Sequence, residues 1–583
     1  MEYLKRWRNY YYLPLCFLSL LGNALWFGRL YGGYSPQLWR DISVSLTFFW
    51  SVALTAVAAL LPRLGKRVYM GILGGAFFIL TIVHGVYFNM FRKLFSFSDL
   101  AFAGDGFAFL DSSYLVIRKA AVLLGLLCLG VMVAAIVLVP KEKEEKKPRL
   151  VMGLGGLAVG LVGVLAICLS SFQSTGTMIW DMGTDPASIY ENFTDTKAAM
   201  NLTGLYHYTF RDLRLALFPA NANLSKEEEG EIDAFAAGRS HGVNEMTGVL
   251  EGKNLILVQL EAIDTWMVDY MPRLAALKEE SVVFANHYTP AYITAGTFNT
   301  EFLVNAGLFP AVTGTSTSVY TRNRFPNTLA HLFRDKGYAA NSFHGSEADV
   351  YNRGQIHENW GYTYHSGSDM GMDSYMLDSN LSVAFDDMTA ADPFFTFIIT
   401  YSGHGPYGEN NGIFKRHADE ARAQATRTDG NYVYAVGHAM ETDLFVGELM
   451  DYLEDRGLLD NTAVIFYADH YNYYMMDDGL NMDIKGVDTL NLLQHTDWII
   501  YSKDLAPRVV DKYTSSIDVL PTIANLFGLD AEYPLLAGDD AFSPDGGYVI
   551  FNDNTWVGTD RDVSAEILQR RRINTLLLKD YWR

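Results

Sequence analysis

Hydrophobic residues in the first third of the chain occur in long unbroken runs, without the spacing of a half-buried helix or strand. Crossing a bilayer takes about 20 residues, and five runs reach that length: Tyr11–Tyr31, Ile42–Leu61, Val68–Phe88, Ala120–Val139 and Leu150–Phe172. This pattern predicts a five-helix transmembrane domain over residues 1–172. A signal peptide removed after export would not account for the four later runs.

Basic residues recur in every second loop and predict the orientation of these helices. They precede the first run, separate the second from the third, and separate the fourth from the fifth: Lys5, Arg6, Arg8, Arg63, Lys66, Arg67, Lys141, Lys143, Lys146, Lys147 and Arg149. Because basic loops stay in the cytoplasm, we expect a cytoplasmic N-terminus. After five spans, the rest of the chain is expected outside the cell.

From about Gly248 onward, short apolar runs alternate with amphipathic stretches such as Met440–Arg456. The predicted strands are Asn254–Leu260, Ala339–Phe343, Phe394–Tyr401, Thr462–Tyr467 and Trp498–Tyr501. Such alternation is typical of an α/β domain with a mostly parallel sheet covered by helices. We therefore predict an extracellular α/β domain over residues 247–583, preceded by extracellular linker helices over residues 173–246.

Three segments outside that domain allow more than one interpretation. The triplet Ala220-Asn221-Ala222 fits a peptidase site, so release of the external domain by cleavage near Ala222 stays open. The aromatic-rich loop Met90–Lys119 fits either a platform for lipid headgroups or an interfacial helix. Gly153–Ala158 contains the glycines of a dinucleotide fingerprint, but it lies inside an apolar run and favours close packing of helices instead.

Composition narrows the classes of function. The chain has 583 residues, is 50% hydrophobic and carries a formal charge of -21, which argues against binding nucleic acid or anionic lipid by charge. Its three cysteines, Cys16, Cys128 and Cys168, all lie in the apolar third. The α/β domain therefore has no disulfide framework, no cysteine metal site and no cysteine nucleophile.

Candidate metal ligands follow two of the predicted strands directly. Glu261 comes after Asn254–Leu260, and the pair Asp469-His470 comes after the apolar run that starts at Thr462. Open α/β sheets hold their ligands at the carboxyl ends of strands. Carboxylate oxygen and imidazole nitrogen both bind divalent metals, so the sequence predicts one divalent-metal site.

A candidate nucleophile, Thr297, lies in the small-residue segment Ala295–Phe302. Threonine is a weak nucleophile at neutral pH and needs a metal or a base to activate it, and a helix start helps to carry negative charge. The alternative is that Thr297 or Thr300 caps a helix over Glu301–Leu308. The two roles are compatible, because both require a hydroxyl group where a helix starts.

Together these motifs resemble the lipoteichoic acid synthase family of Gram-positive bacteria, within the alkaline phosphatase/sulfatase superfamily. The shared order is five spans, a strand ending in Glu261, Gly-Thr-x-x-x-Glu-Phe at 296–302, and a strand ending in Asp469-His470. The stretch Ser515–Ile523 is similar to the closing motif of the superfamily. The resemblance implies one Mn²⁺ site, with Mg²⁺ or Zn²⁺ as alternatives, formed by Glu261, Thr297, Asp469 and His470, with Thr297 as the nucleophile.

The resemblance also implies substrate contacts. The segment Phe343–Arg353 matches the substrate-pocket stretch of the family, and His404 in Thr-Tyr-Ser-Gly-His-Gly-Pro-Tyr matches its pocket histidine. The implied substrate-binding residues are His344, Tyr351, Arg353 and His404. Arg353 suits a pair of phosphoryl oxygens, and His404 suits protonation of a leaving alkoxide, so both are also catalytic candidates.

The chain departs from the family pattern at three places. Tyr351 replaces a tryptophan, Ser346 replaces a frequent acid, and residues 471–474 read Tyr-Asn-Tyr-Tyr where a glycine-bearing turn is usual. These departures leave the acceptor open, and with it the choice between a polymerase and a primase that adds one unit.

The resemblance implies a phosphoglycerol transferase in a bacterial cell membrane. The donor would be phosphatidylglycerol, the intermediate would be linked to threonine, and the acceptor would be a polyglycerolphosphate chain or a glycolipid primer. Alternatives are a phosphoethanolamine transferase, which shares the segment His404-Gly405-Pro406, and an inactive scaffold for wall-polymer synthesis. A sulfatase would need a Cys/Ser-x-Pro-x-Arg motif, which the sequence around Thr297 lacks.

Overall fold

The computed structural model describes residues 10–31, 37–91, 94–97, 118–141, 146–172, 186, 190, 196–217, 224–239, 241–290, 296–310, 323, 325–348, 350–544 and 546–580. The chain divides into two compact units, one containing nearly all residues up to 220 and the other nearly all residues from 221 onward. Most of the Met90–Lys119 loop and the Ala220-Asn221-Ala222 triplet lie outside the described residues.

The first unit is helical and contains the predicted spans. Its helices are α1 Tyr12–Tyr31, α2 Gln37–Leu60, α3 Arg63–Phe91, α4 Lys119–Leu138, α5 Lys146–Ser171 and α6 Thr196–Leu217. Helices α1 to α5 are each long and apolar enough to cross a membrane, which confirms the predicted five spans. Helix α6 falls within the predicted linker. It is interrupted by a kink at Gly204, where φ is 75° and the backbone is not helical.

Helix α5 packs on α2 through a stripe of glycines. A Cβ atom added at Gly156 would lie 3.0 Å from the Cβ of Ala56, and one added at Gly160 would lie 2.7 Å from the backbone nitrogen of Ala53. Small residues let two helices approach closely inside a membrane. The glycine-rich segment of α5 therefore serves helix packing, as its position in an apolar run predicts.

We expect Gly160→Leu to destabilise the helical unit, because its side chain would overlap the backbone of α2. Overpacking of this kind costs about 1–3 kcal/mol. Gly155→Leu is the matched control, since a Cβ at Gly155 has no atom within 4 Å. Thermal unfolding of the full chain in detergent would show a lower midpoint for Gly160→Leu alone. Equal midpoints for the two variants would contradict the packing account.

The second unit is built on an eight-stranded sheet with the order β4-β3-β5-β1-β6-β7-β2-β8. The strands are β1 Asn254–Leu260, β2 Val282–Tyr288, β3 Ala339–His344, β4 Thr363–His365, β5 Phe394–Ile399, β6 Thr462–Ala468, β7 Trp498–Tyr501 and β8 Arg508–Ser515. Strand β7 runs antiparallel to both of its neighbours, and the other pairs are parallel. A separate hairpin joins β9 Val549–Ile550 to β10 Trp556–Val557.

Alternate residues of the central strands enter two different cores. In β1, Leu255 and Leu257 pack into one cluster, while Ile256 and Val258 pack into the other. Every residue of β1 and β6 is buried. Because successive side chains of a strand point to opposite faces, the two clusters lie on the two faces of the sheet. The sheet is therefore covered on both sides, as the continuous apolar strands predict.

Helices in this unit cover the sheet and bridge its strands. They are α7 Lys226–Ala237, α8 Pro272–Glu279, α9 Gly296–Ala306, α10 Leu329–Asp335, α11 Arg353–Asn359, α12 Gly367–Met370, α13 Phe385–Met388, α14 Gly412–Gln424, α15 Gly430–Asp455, α16 Asp478–Lys485, α17 Val519–Leu526 and α18 Ser564–Asp580. Residues of α9 and α17 enter the first cluster, and residues of α14 and α15 enter the second.

The five predicted strands all exist, and β1 and β7 have the predicted bounds. The sequence reading missed β2, β4 and β8. Strand β8 has only two fully buried residues, at its end, so its pattern resembles a polar loop. The division at residues 172 and 246 stays a prediction.

Asp518, just before α17, is a buried carboxyl group that holds two backbone amides. It accepts hydrogen bonds from the backbone N–H of Ser515 at 2.7 Å and of Asp539 at 2.8 Å. Burial, together with the Asp539 charge, raises the pKa of Asp518 from 3.8 to about 6. A raised carboxyl pKa means that the fold favours the protonated form, so stability is lost as the group ionises.

We expect wild-type stability to fall relative to Asp518→Asn as the pH rises from about 4 to about 6. Each pKa unit is worth about 1.4 kcal/mol, which gives a change of about 2–3 kcal/mol across this window. The lost acceptor oxygen in the variant adds an offset that does not depend on pH. Thermal unfolding of the two full chains between pH 4.5 and 7 measures the difference, and parallel curves would refute it.

Candidate active site

The pairing of β1 with β6 brings the predicted metal ligands together. The two strands are parallel neighbours, and Leu260 pairs with Ala468 at their carboxyl ends. The backbone N–H of Asp469 continues the ladder by donating to the carbonyl oxygen of Leu260 at 3.2 Å. Glu261 and Asp469 therefore leave the sheet side by side, and His470 follows.

Glu261, Asp469 and His470 form a compact buried cluster, in which one ligand atom of each residue lies within 4.8 Å of the others. The Nε2 atom of His470 is 3.3 Å from Oε1 of Glu261 and 3.4 Å from Oδ2 of Asp469. Both Nε2 of His470 and Oδ2 of Asp469 are buried and make no hydrogen bond. Buried polar atoms without partners are rare and call for an explanation.

The remaining atoms of these side chains are already engaged. The Nδ1 atom of His470 lies 2.9 Å from the carbonyl oxygen of Tyr471, so Nδ1 carries a proton, and Nε2 is the nitrogen that a neutral His470 would offer to a metal. The Oδ1 atom of Asp469 accepts the backbone N–H of Ala262 at 2.8 Å. Only the converging atoms are left, which fits a divalent cation with oxygen and nitrogen ligands.

The electrostatics of the cluster also favour a bound cation. Burial, together with the charge of Glu261, raises the pKa of Asp469 well above its usual range. Burial lowers the pKa of His470, but the charges of Asp469 and Glu261 and the hydrogen bonds of the ring together outweigh it and raise the value to about 9. Two buried carboxylates this close repel each other, so the cluster is stable only with a bound proton or a bound cation.

Thr297 lies in the first turn of α9, at the edge of the cluster. Its hydroxyl donates to Oε2 of Glu261 at 3.0 Å. A Cβ atom at Gly296 would lie 2.9 Å from the ring of His470, so the start of the helix lies against the cluster. The positive end of the α9 dipole thus faces the place where Thr297 would carry negative charge.

Helix α9 begins five residues earlier than the capping alternative requires. That alternative placed Thr297 or Thr300 at the cap of a helix starting at Glu301, and it was wrong because both threonines lie inside α9. Thr300 donates its hydroxyl to the carbonyl oxygen of Asp469 at 2.6 Å. Thr300 therefore ties α9 to the strand end of β6.

His404 lies in the turn that follows β5. Its Nδ1 atom hydrogen-bonds the carbonyl oxygen of Gly405, and its ring stacks on Tyr401 with centroids 5.0 Å apart. Burial lowers the pKa of His404, and the nearby Glu261 charge opposes that shift. A Cβ atom at Gly403 would lie 1.7 Å from the carbonyl oxygen of Glu261, so only glycine fits there.

Arg353 and His344 belong to a second buried group beside α9. Arg353 forms an ion pair of 3.1 Å with Glu301, and its Nη1 atom reaches the hydroxyl of Ser346 at 3.4 Å. His344 hydrogen-bonds the carbonyl oxygen of Ile399 through Nδ1 at 2.8 Å. Burial and the Arg353 charge lower the pKa of His344 to about 3.

The second group is connected to the first through α9. Thr297 and Glu301 are four residues apart on that helix and therefore lie on one face, one turn apart. Tyr351 is also close, with its ring centroid 5.5 Å from the Cζ atom of Arg353. The roles of His344, Tyr351, Arg353 and His404 toward a substrate stay predictions.

The sequence reading did not assign Glu301 and Tyr474 to the site. Glu301 binds both Arg353 and His357, and its position four residues after Thr297 was the available signal. Tyr474 donates its hydroxyl to Oε1 of Glu261 at 3.4 Å, and its ring centroid lies 4.6 Å from that of His404. The Tyr-Asn-Tyr-Tyr departure after His470 marked this segment without showing its contacts.

Comparison with known proteins finds a matching domain and similar sequences. Residues 253–529 match the Sulfatase family model. Lipoteichoic acid synthase 2 of Bacillus subtilis (strain 168) is 26% identical over 336 residues, which cover 52% of this chain and 49% of the relative. Lipoteichoic acid synthase of Staphylococcus aureus (strain USA300) is 23% identical over 411 residues, which cover 65% and 62%. The matches thus span between about half and three fifths of these relatives' own lengths.

Two solved structures are also similar. The lipoteichoic acid synthase LtaP from Listeria monocytogenes has a TM-score of 0.47 and 21% identity, with 60% of this chain and 96% of that chain covered. An alkaline phosphatase superfamily protein from Vibrio parahaemolyticus has a TM-score of 0.46 and 18% identity, with 62% and 96% covered. From the family-model and sequence matches, the chain carries a sulfatase-family domain over residues 253–529 and is related to the lipoteichoic acid synthases of the alkaline phosphatase/sulfatase superfamily.

Proposed function

We propose that the chain is a membrane-bound phosphoglycerol transferase of wall-polymer synthesis, with Thr297 as its nucleophile. The observation that carries the proposal is the hydrogen bond of 3.0 Å from Thr297 to Glu261, at the start of α9 and beside the unpartnered atoms of Asp469 and His470. A hydroxyl in this place can be activated and its negative charge stabilised. The matches to lipoteichoic acid synthases support the same reaction class.

The proposed donor is phosphatidylglycerol, and the proposed acceptor is a growing polyglycerolphosphate chain or a glycolipid primer. A lipid donor stays in the bilayer, which explains why the α/β unit is joined to five apolar helices. With a cytoplasmic N-terminus, an odd number of spans places this unit outside the cell. Both the orientation and the lipid are part of the proposal.

In the first half-reaction, the Oγ atom of Thr297 forms a bond to phosphorus as the bond to the diacylglycerol oxygen breaks. The proton of Thr297 leaves toward Glu261, and His404, in the form protonated at both ring nitrogens, gives its Nε2 proton to the departing alkoxide. A glycerophosphate group then remains on Thr297. In the second half-reaction an acceptor hydroxyl attacks phosphorus and gives its proton to His404, while the bond from phosphorus to Thr297 breaks and the Thr297 oxygen takes its proton back from Glu261.

Glu261, Thr297, Asp469 and His470 would hold the metal, for which Mn²⁺ is proposed and Mg²⁺ or Zn²⁺ also suits the ligands. A bound ion supplies Lewis-acid stabilisation of the Thr297 oxygen. Arg353 is proposed to bind the phosphoryl oxygens, with His344 beside it and Tyr351 against the glycerol. The support for Arg353 is that Glu301 binds its Nε and Nη2 atoms, whereas Nη1 has a neutral partner, Ser346.

We expect a glycerophosphate adduct on the peptide that contains Thr297 after the full chain is incubated with phosphatidylglycerol vesicles and Mn²⁺. Mass spectrometry detects it. Thr297→Val removes the hydroxyl at nearly constant volume and should abolish the adduct and lower transferase activity at least about 1,000-fold. Thr389→Val is the control, since its hydroxyl bonds Phe385 and Tyr452.

Other outcomes of the labelling experiment separate the rivals. Full transferase activity in Thr297→Val would exclude Thr297 as the nucleophile. Labelling by phosphatidylethanolamine instead of phosphatidylglycerol would favour the phosphoethanolamine transferase. If neither lipid labels metal-loaded protein, the scaffold function is favoured.

We expect Glu261→Gln to lose bound Mn²⁺, because a neutral amide replaces a charged ligand that faces His470. The apparent affinity should fall at least about tenfold. Elemental analysis of the dialysed full chain measures metal content without reference to activity. Asp443→Asn, another buried carboxyl that bonds backbone amides of α8, should keep it. Equal metal content in both variants would place the metal elsewhere.

A further inference from the structure

The turn that carries His404 is held at several backbone groups by residues distant in sequence. The carboxylate of Asp378 accepts the backbone N–H of Tyr401 at 2.6 Å and of Ser402 at 3.1 Å. In return, the backbone N–H of Asp378 donates to the hydroxyl of Ser402 at 2.9 Å. One side chain thus fixes two successive amides at the end of β5.

Two further residues hold the carbonyl side of the same turn. His438 of α15 hydrogen-bonds the carbonyl oxygen of Ser402 through Nδ1 at 2.7 Å. The hydroxyl of Tyr407 donates to the carbonyl oxygen of Gly403 at 2.9 Å. Since His404 comes next in the chain, these bonds determine where its ring lies.

The backbone of this turn has little room to move relative to Glu261. Gly403 lies directly on the backbone of Glu261, where a Cβ atom would be 1.7 Å from the carbonyl oxygen. The Nδ1 atom of His404 hydrogen-bonds the carbonyl oxygen of Gly405, so Nε2 is the ring nitrogen that is left to contact a substrate. Transfer through Nε2 depends on its distance from the reacting oxygen, and a displacement of about 1 Å can cost about 100-fold in rate.

Burial of the Asp378 carboxylate costs free energy. It is 1% exposed, and a buried carboxylate is costly unless hydrogen bonds compensate it. Its second oxygen accepts the hydroxyl of Thr442 of α15 at 2.8 Å, which holds the carboxylate in place. Burial raises the pKa of Asp378 to about 7, which agrees with that cost.

Asp443 offers an internal comparison. It is also buried, and it accepts the backbone N–H of Arg273 at 3.1 Å and of Leu274 at 2.9 Å. These amides belong to the first turn of α8, so Asp443 caps a helix. The two aspartates use the same kind of bond, but only Asp378 holds the turn of His404.

We propose that Asp378 is a positioning residue that holds His404 at the distance from the metal cluster at which it transfers a proton to the leaving oxygen. The proposal rests on the proposed function, because it assigns His404 the role of proton donor. Asp378 does not touch the substrate and acts through the backbone of Tyr401 and Ser402.

The test compares two phosphodiesters on the full chain in lipid vesicles. Phosphatidylglycerol releases an alkoxide that needs a proton, whereas bis(4-nitrophenyl) phosphate releases a stable phenolate that needs none. Asp378→Ala should lower kcat for phosphatidylglycerol by roughly 10- to 100-fold. Its KM for that lipid and its rate on the aryl ester should stay within about threefold of wild type.

Controls separate positioning from folding. Asp443→Ala removes another buried carboxylate that bonds two backbone amides, and it should lower both rates in equal proportion, or neither. Asp378→Asn keeps an acceptor oxygen for the two amides and should recover most of the lost rate. His404→Gln should show the same selective loss as Asp378→Ala.

Several results would overturn the proposal. One is an equal loss on both esters in Asp378→Ala. Where Asp378→Ala does not fold, an equal loss on both esters in Asp378→Asn would overturn it as well, since Asp378 would then serve folding alone. Failure of the proposed function looks different, because wild type itself would then turn over no phosphatidylglycerol.

Discussion

The site depends on the parallel pairing of β1 with β6, which places two carboxylates at adjacent strand ends. Neither carboxylate can move away, because each follows a strand whose residues are all buried. The chain accommodates this crowding by bending at once: Ala262 has φ of 52°, which L residues rarely adopt, and its N–H bonds Asp469. Strain of this kind persists where the surrounding structure fixes the backbone. The pairing of the two strands thus holds two carboxylates close together. A cation bound by the converging ligand atoms would relieve the repulsion between them.

Helix α9 relates the two groups of polar residues to each other. Thr297 contacts the cluster, and Glu301, one turn later, binds Arg353 at 3.1 Å with both side chains buried. A buried ion pair adds little to stability once the cost of removing its charges from water is counted. Its clearer effect here is orientation, because Arg353 cannot shift without leaving Glu301 unpaired. One rigid element therefore sets the distance between the proposed nucleophile and the proposed phosphate-binding arginine.

Features set by local sequence could be predicted, and those set by contacts between distant segments could not. Five apolar runs and the strands that precede Glu261 and Asp469 follow from hydrophobic pattern alone. Strand β2 was missed because its burial alternates irregularly and its apolar residues are followed by Asn286 and His287. The start of α9 was misplaced because its first turn is held by contacts with Glu261 and Asp469, which are distant in sequence. Likewise, Asp378 lies 24 residues from Ser402, and no local pattern links them.

The Tyr-Asn-Tyr-Tyr segment after His470 lies against the candidate site. Tyr473 lies 4.3 Å from the ring of His470, and Tyr474 contacts both His404 and Glu261. The two tyrosines are thus part of the wall that surrounds the cluster, and their hydroxyls are 3.4 Å apart. A glycine-bearing turn would supply neither ring. The proposed metal ligands Glu261, Asp469 and His470 converge beside this aromatic wall, and a substrate that reaches the cluster would lie against it. We therefore expect acceptor selection, rather than nucleophile activation, to distinguish this chain.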